Sequence, residues 1–369
     1  MKRKIAFIIG TRPDAIKMVS SIKAFKQDPH FKTILISTSQ HKQLLSDVIS
    51  LFKLNVNYDL RVMRKNQGLS GLTARLLKSF DSLFKNLKPD LIFVQGDTTS
   101  SMTAALSAFY KKIPVAHIEA GLRTGDIYSP FPEEINRIYI DMVSEFLFPP
   151  TKKARKNLAD SGIKKGNILI TGNTGIDALL MTLNIKTSYG KKITGKILDG
   201  DKIILMTTHR RESFGKPLQN IIKAIIVLAG KFKEYKFILP VHPNPNVKLP
   251  VYENLKGIPN IILTDPLPYT DFIMIMKKAF LIISDSGGIQ EEAPVLGKPV
   301  VVLREKTERV EAVKNNAAIL TGHDKEKIIT TVSGLIRDRT LYKKMSKIRY
   351  LYGDGKAGSR IYKFIKEHL

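Results

Sequence analysis

Short apolar runs alternate with helix-spaced segments twice along this chain, and few folds satisfy that order. Residues 4–9, 33–37, 91–94, 114–118, 145–148 and 168–170 read as short strands, apolar enough to be buried on both faces. Between them, residues 41–52, 69–87 and 98–110 carry helical spacing, as does the segment after the first strand, where Ala15, Met18, Val19, Ile22 and Phe25 share one side. A second series repeats the layout, with strands at 202–206, 237–240, 260–263, 280–283 and 299–303 and helices at 217–230 and 269–278. Strands alternating with helices build a parallel sheet covered on both faces, whose ligands bind beyond the carboxyl ends of the strands. A length of 369 residues suits two such units. The expectation is an α/β chain of two doubly wound, Rossmann-like domains facing a cleft. They are expected to span residues 1–172 and 173–358, with a hinge at 171–175 and residues 359–369 crossing back to the first domain.

Composition removes several classes of function. Zero cysteines exclude disulfides and thiolate metal sites, and the seven histidines include no His-x-x-x-His pair, so no metal centre is expected. No apolar run reaches the roughly 18 residues that a membrane span requires. Residues 1–10 enter a strand pattern without the layout of a signal peptide, which points to a cytoplasmic protein without stable membrane association. The 60 Lys and Arg exceed the 33 Asp and Glu, for a formal charge of +27, a balance that raises the question of nucleic acid. The basic residues are spread over the whole length with no basic tail, so a solvated surface that draws in anionic substrates is expected, with no nucleic-acid partner.

The turns after the strands hold the residues suited to chemistry. Within 279–301 an apolar strand leads through Asp285, Ser286, Gly287 and Gly288 into a helix start that carries Glu291 and Glu292. Backbone N–H groups of Ser286, Gly287 and Gly288 at that helix N-terminus suit a phosphate, and Glu292, one turn on, suits the hydroxyls of a ribose. A glycine-rich cap with solvated glutamates is the plainer alternative. After the first strand comes Gly10-Thr11-Arg12-Pro13, where Arg12 offers a planar fork for phosphate and Lys17 lies one turn inside the helix. The G-x-G-x-x-G fingerprint is absent from this first turn and the G-x-x-x-x-G-K-[ST] pattern from the whole chain, which speaks against nicotinamide and ATP, and no cofactor is expected. Asp97 and Glu119 each follow a strand, although Asp97 could serve only as a helix cap. Pro132 precedes Glu133 and Glu134 at a helix start, where both could serve only the helix dipole, and Arg137 follows one turn later. His209 and His242 sit just past strand ends, placed for proton transfer near neutral pH, while His30, His41, His323 and His368 read as structural.

Seven motifs in order carry a resemblance. They are Gly10-Thr11-Arg12-Pro13-Asp14-Ala15-Ile16-Lys17-Met18, Gly96-Asp97-Thr98-Thr99, His117-Ile118-Glu119-Ala120-Gly121-Leu122-Arg123-Thr124, Pro130-Phe131-Pro132-Glu133-Glu134-Ile135-Asn136-Arg137, Thr208-His209-Arg210-Arg211-Glu212, His242-Pro243-Asn244-Pro245-Asn246 and Asp285-Ser286-Gly287-Gly288-Ile289-Gln290-Glu291-Glu292-Ala293-Pro294. Over essentially the whole chain the sequence resembles the non-hydrolysing UDP-N-acetylglucosamine 2-epimerases. The resemblance implies the glycosyltransferase type B fold, with UDP bound by the second domain, and a homodimer. It also implies conversion of UDP-N-acetylglucosamine to UDP-N-acetylmannosamine for surface polysaccharide synthesis. Alternatives within reach of the same motifs are a 2-epimerase of a related UDP-sugar and a hydrolysing 2-epimerase. A retaining glycosyltransferase or a non-catalytic nucleotide-sugar sensor would share the fold.

Carried over by position, the resemblance makes Asp97, Glu119, Glu133 and His209 the catalytic candidates. Asp97 and Glu133 are expected to move the proton at C2, Glu119 to support the sugar and the charge at C1, and His209 to act on the diphosphate or leaving oxygen. Arg12, Lys17, Arg137, His242, Ser286, Gly287, Gly288 and Glu292 are expected to bind the nucleotide. Asp14 stands where the family usually has Glu, and Val19-Ser20 replaces the common Ala-Pro. Bacterial members also bind a second UDP-N-acetylglucosamine as an activator. The matching positions here are Gln40, Gln43 and Arg210, with the uncharged Asn66 where an arginine is usual. Losing a charge-assisted contact to phosphate costs about 1.5 to 3 kcal/mol, so activation should be weak or absent. The reaction started from UDP-N-acetylmannosamine alone should then run at once; a long lag, abolished by trace UDP-N-acetylglucosamine, would show that the activator site works.

Overall fold

The computed structural model describes residues 2–38, 42–64, 67–163, 166–185 and 200–369. They fall into two units, Met1–Leu180 with Tyr352–Leu369, and Met181–Leu351. In the first, β1 (Arg3–Ile9), β2 (Phe31–Ser37), β3 (Tyr58–Asp59), β4 (Leu91–Gln95), β5 (Val115–Ile118) and β6 (Phe146–Phe148) form one parallel sheet in the order β3-β2-β1-β4-β5-β6. Helices α1 (Arg12–Lys26), α2 (Lys42–Leu51), α3 (Leu69–Leu87), α4 (Thr99–Tyr110), α5 (Glu133–Val143), α6 (Lys152–Asp160) and α7 (Thr174–Leu183) follow in chain order.

The second unit repeats the plan. Its strands β7 (Lys202–Thr207), β8 (Tyr235–Pro240), β9 (Ile261–Thr264), β10 (Ala279–Ser284), β11 (Val300–Val302) and β12 (Ala318–Leu320) are all parallel, in the order β12-β11-β10-β7-β8-β9. Its helices are α8 (Lys216–Lys231), α9 (Pro245–Leu255), α10 (Tyr269–Lys278), α11 (Gly287–Glu292), α12 (Val310–Lys314), α13 (Lys325–Arg337) and α14 (Arg339–Met345); α15 (Ala357–His368) returns to the first unit. Each sheet therefore has a point where strand order reverses, between β1 and β4 and between β7 and β10, the place where a doubly wound sheet opens a crevice for a ligand. Burial on both faces explains the unbroken apolar runs: Ile5, Ala6, Phe7, Ile8 and Ile9 are all fully buried. Phe7 stacks on Phe93 with ring centres 4.6 Å apart, which packs β1 against β4 through side chains as well as the ladder. Among the described residues no helix is long and apolar enough to cross a membrane.

Two expectations about the middle of the chain are corrected. Ile168 forms an isolated bridge to Leu147, so 168–170 adds no strand to the sheet. The expected hinge at 171–175 instead leads into α7, and the first unit runs on to Leu180. Hydrogen bonds explain the shift. Asn173 N–H donates to the Tyr352 carbonyl at 2.5 Å, and buried Asp177 accepts the N–H groups of Ala357 and Gly358 that open α15. Farther along, Tyr362 Oη and Lys366 Nζ both reach Asp28 Oδ2, at 2.7 and 2.8 Å. The start of α7 is thus tied to the returning helix, and that helix to the turn before β2. Ser20 on α1 meets Gly358 on α15, where even a Cβ would come within 2.5 Å of the Ser20 hydroxyl.

The turn from β1 into α1 is closed by an internal carboxylate. Thr11 is the N-cap, and Asp14 Oδ2 accepts the N–H groups of Gly10 at 3.0 Å and Thr11 at 2.9 Å. A glycine-rich nucleotide turn would offer such N–H groups to phosphate; here the protein fills the position itself. Burial raises the Asp14 pKa from an ordinary 3.8 to about 6, although the hydrogen bonds from Thr11 and Gly10 oppose it. A raised value favours the protonated form, so the contribution to stability is full below the unfolded value and is lost as pH rises through about 6. Asp14→Asn keeps an acceptor oxygen without the charge. Relative to that variant the wild type should lose about 2.4 kcal/mol between pH 4 and 7, seen as diverging urea midpoints. Parallel pH dependences would show that Asp14 does not take up the proton.

Candidate functional site

In the first unit Asp97 and Glu119 follow β4 and β5, next to the point where strand order reverses. Asp97 follows β4, after Gly96 in the left-handed region at φ +64. Thr98 caps α4 by accepting the Ser101 N–H at 3.1 Å, so Asp97 is not the helix cap. Its carboxylate instead meets the guanidinium of Arg137, and its carbonyl accepts from Asn136 Nδ2 at 2.9 Å. Both partners come from α5, whose first residue is half-buried Glu133. Glu134 does more than serve the dipole. It is buried, lies 3.1 Å from Arg137, and accepts the N–H groups of Thr124 and Gly125, which fixes the loop after β5.

Glu119, after β5, is only 8% exposed and has φ +70, a region that a residue with a Cβ rarely adopts. Such strain persists where the surroundings over-determine it. Lys17 Nζ and Gln95 Nε2 each donate to its carboxylate at 2.5 Å, and Asn173 Nδ2 donates at 3.0 Å. A carboxylate ringed by three donors suits a fixed electrostatic role better than proton shuttling. Lys17, expected at the nucleotide, is thus engaged with Glu119. Gln95 and Asn173 escaped sequence reasoning. A polar residue at the end of an apolar strand is the one sequence signal for the first, and the second falls within the expected hinge. Arg12 opens α1 at the same strand ends, partly buried.

In the second unit Asp285, fully buried just after β10, ties two turns together. Its Oδ2 accepts from the Thr208 hydroxyl, the N–H groups of His209 and Arg210, and the Ser213 hydroxyl, all at 2.9 to 3.0 Å. His209 Nδ1 lies 3.0 Å from Oδ1, in ion-pair range but off the line of a good hydrogen bond. Burial alone would raise the Asp285 pKa; His209 and the two N–H groups outweigh it and hold the carboxyl well below the usual range. His209 remains 42% exposed at its side chain, and its ring centre is 6.2 Å from that of His242. These two expected histidines therefore come together. Arg210 turns inward, with Nε donating to the Asp285 carbonyl at 3.0 Å.

The glycine turn differs in detail from the expectation. The Ser286 N–H donates to Ser284 Oγ at 2.9 Å, so it is not left for a phosphate. At Gly287 a Cβ would sit 3.0 Å from the Arg309 guanidinium carbon packed behind it, so a side chain there would have to push that group back by a few tenths of an ångström. Arg309 is held by Glu291 at 2.9 Å and by Glu308, and Glu308 also accepts from Arg304 at 2.8 Å. These buried charges secure the start of α11 from below. Burial pushes the Glu308 pKa up, but Arg309, Arg304 and Arg210 hold it well below the usual range. Glu292 accepts from Tyr269 Oη at 3.4 Å. Gln40 and Asn66 lie outside the described residues, as does the side chain of Gln43. Among the described residues no group of three or more His, Cys, Asp or Glu is arranged to hold a metal ion.

The family model for UDP-N-acetylglucosamine 2-epimerase matches residues 23–366. A UDP-N-acetylglucosamine 2-epimerase of Yersinia pestis is 44% identical over 376 residues, covering 99% of both chains. The crystal structure of UDP-GlcNAc 2-epimerase from Neisseria meningitidis bound to UDP-GlcNAc superposes with a TM-score of 0.95 at 41% identity, over 99% of this chain and 100% of that one. That from Methanocaldococcus jannaschii in complex with UDP-GlcNAc and UDP gives 0.88 at 34% identity, over 99% of each chain. The chain belongs to the UDP-N-acetylglucosamine 2-epimerase family.

Proposed function

We propose that this chain interconverts UDP-N-acetylglucosamine and UDP-N-acetylmannosamine by elimination and readdition of UDP, without releasing the free sugar, and so feeds surface polysaccharide synthesis. The observation that carries the mechanism is the set of carboxylates in the first unit, Asp97, Glu119 and Glu133, in a chain whose first strand-to-helix turn lacks the dinucleotide fingerprint. The hydrogen at C2 is not next to a carbonyl, so its removal alone has no enolate to stabilise the product. If the C1–O bond breaks with its electron pair going to UDP as C2 loses its proton, a C1–C2 double bond forms and no redox cofactor is needed. Reprotonation of C2 on the opposite face and return of the UDP oxygen to C1 then give the epimer.

The side chains divide as follows. Asp97 and Glu133 take and return the C2 proton, one on each face. Arg137 grips Asp97 and sets its orientation. Glu119, held by its three donors, supports the sugar as C1 becomes cation-like. In the second unit the N–H groups of Gly287 and Gly288 receive the diphosphate, joined by His209 and His242, and Glu292 holds the ribose. The relatives solved with UDP-GlcNAc support the choice of ligand.

The test is turnover in deuterated water with no NAD or metal added. UDP-N-acetylmannosamine should form with deuterium at C2, and Asp97→Asn and Glu133→Gln should lower turnover roughly a hundred- to ten-thousandfold with the fold intact. Product that keeps its C2 hydrogen would rule out elimination, free N-acetylmannosamine would indicate the hydrolysing reaction, and near-normal turnover by both amides would remove those carboxylates from the chemistry.

A further inference from the structure

A fully buried histidine–aspartate pair lies against Gly96, the residue before Asp97, and the proposed chemistry has not used it. His117 on β5 and Asp141 on α5 are both 0% exposed, with His117 Nδ1 2.6 Å from Asp141 Oδ1. Asp141 Oδ2 also meets Arg123 at 2.7 Å and the Gly121 N–H at 3.1 Å. The other ring nitrogen, Nε2, lies 2.8 Å from the carbonyl oxygen of Gly96, the residue before Asp97. A carbonyl has no hydrogen to give, so Nε2 must carry the proton of that contact.

Nothing in the packing of an apolar strand requires this arrangement. A buried polar side chain costs stability unless it is paired, and an apolar residue at position 117 would fill the same place between Val94 and Leu147, its neighbours in the sheet. What the histidine adds is a donor aimed at one backbone carbonyl. Gly96 is held on its other side by its own N–H, which donates to the Ile118 carbonyl at 3.1 Å. The next residue is held by α5 through Asn136 and Arg137. The same helix also carries Asp141, so α5 grips the Asp97 turn twice, once directly and once through His117.

We infer that His117 is a positioning residue for the epimerisation: oriented by Asp141, it clamps the Gly96 carbonyl through Nε2 and so fixes where the Asp97 carboxylate stands. The inference rests on the reading of Asp97 as a proton-transfer residue. A misplacement of about 1 Å in a reacting group can cost a hundredfold in rate. His117→Leu should therefore lower kcat by about ten- to a hundredfold while the KM for UDP-N-acetylglucosamine stays within about twofold. His117→Gln can still present an N–H to the Gly96 oxygen and should recover most of that loss.

The deciding experiment is a double-mutant cycle on kcat. In an Asp97→Asn background, His117→Leu should add less than about twofold, because the group it positions has already lost its function. A crippled Asp97→Asn enzyme on which His117→Leu still exacts its full loss would overturn this inference and leave the role of Asp97 standing. Normal turnover by Asp97→Asn alone would remove that role and the inference with it. Should the leucine variant fail to fold, nitrogen-15 NMR of the wild-type imidazole still decides, since Nε2 must be protonated. An unprotonated Nε2, or a glutamine variant no better than leucine, would overturn the clamp.

Discussion

Each sheet reverses its strand order once, between β1 and β4 and between β7 and β10, and the chemistry of both units follows from what fills those two places. Parallel strands leave the carboxyl-end turns of neighbouring strands side by side with no ladder between them. Polar groups there are cut off from water on one side and must find partners in adjacent turns. In the first unit the turn after β1 is closed by Asp14, and the turn after β4 presents Asp97 to the guanidinium of Arg137. In the second, Asp285 after β10 accepts four hydrogen bonds from the turn after β7 and its continuation.

These pairings turn a common fold into a specific site. Glu119 and Asp97 differ in their surroundings although both are carboxylates past strand ends. Glu119 is buried, strained and held by Lys17, Gln95 and Asn173. Asp97 is 27% exposed at its side chain and has one guanidinium partner, which leaves an oxygen available for a substrate proton. The different donors around these two carboxylates support the different tasks proposed for them. The second unit uses the same logic in reverse, burying a carboxylate at Asp285 to support an exposed histidine at His209.

Most of the fold was legible in the sequence because burial on both faces leaves a direct trace. A strand with helices above and below it must be apolar at every position, and such runs stand out against the helical spacing between them. Turn residues at the strand ends were legible for a similar reason, since Asp97, Glu119, His209 and Ser286–Gly288 interrupt those runs with groups a core does not tolerate. Partners were not legible. Lys17 lies 102 residues from Glu119, and Asp177 lies 180 residues from the helix start it caps, so no local pattern announces either contact. Asn173 read as a hinge because its role depends on Glu119 and Tyr352. The Ser286 N–H looked available because sequence does not show which way Ser284 turns its hydroxyl. The domain boundary moved for the same reason, as long-range hydrogen bonds hold the start of α7 to the first unit.

Breaking of the C1–O bond while UDP stays bound is the central claim, and positional isotope exchange tests it most directly. UDP-N-acetylglucosamine carrying oxygen-18 in the bridge between C1 and the β-phosphorus would be incubated with the enzyme, and recovered substrate and product examined by phosphorus-31 NMR. If UDP departs and returns, rotation of the freed β-phosphate exchanges the bridging oxygen with its neighbours, so the label should appear in non-bridging positions at a rate comparable with epimerisation. Epimerised product that keeps all its oxygen-18 in the bridge would mean that the C1–O bond never breaks, and would contradict elimination.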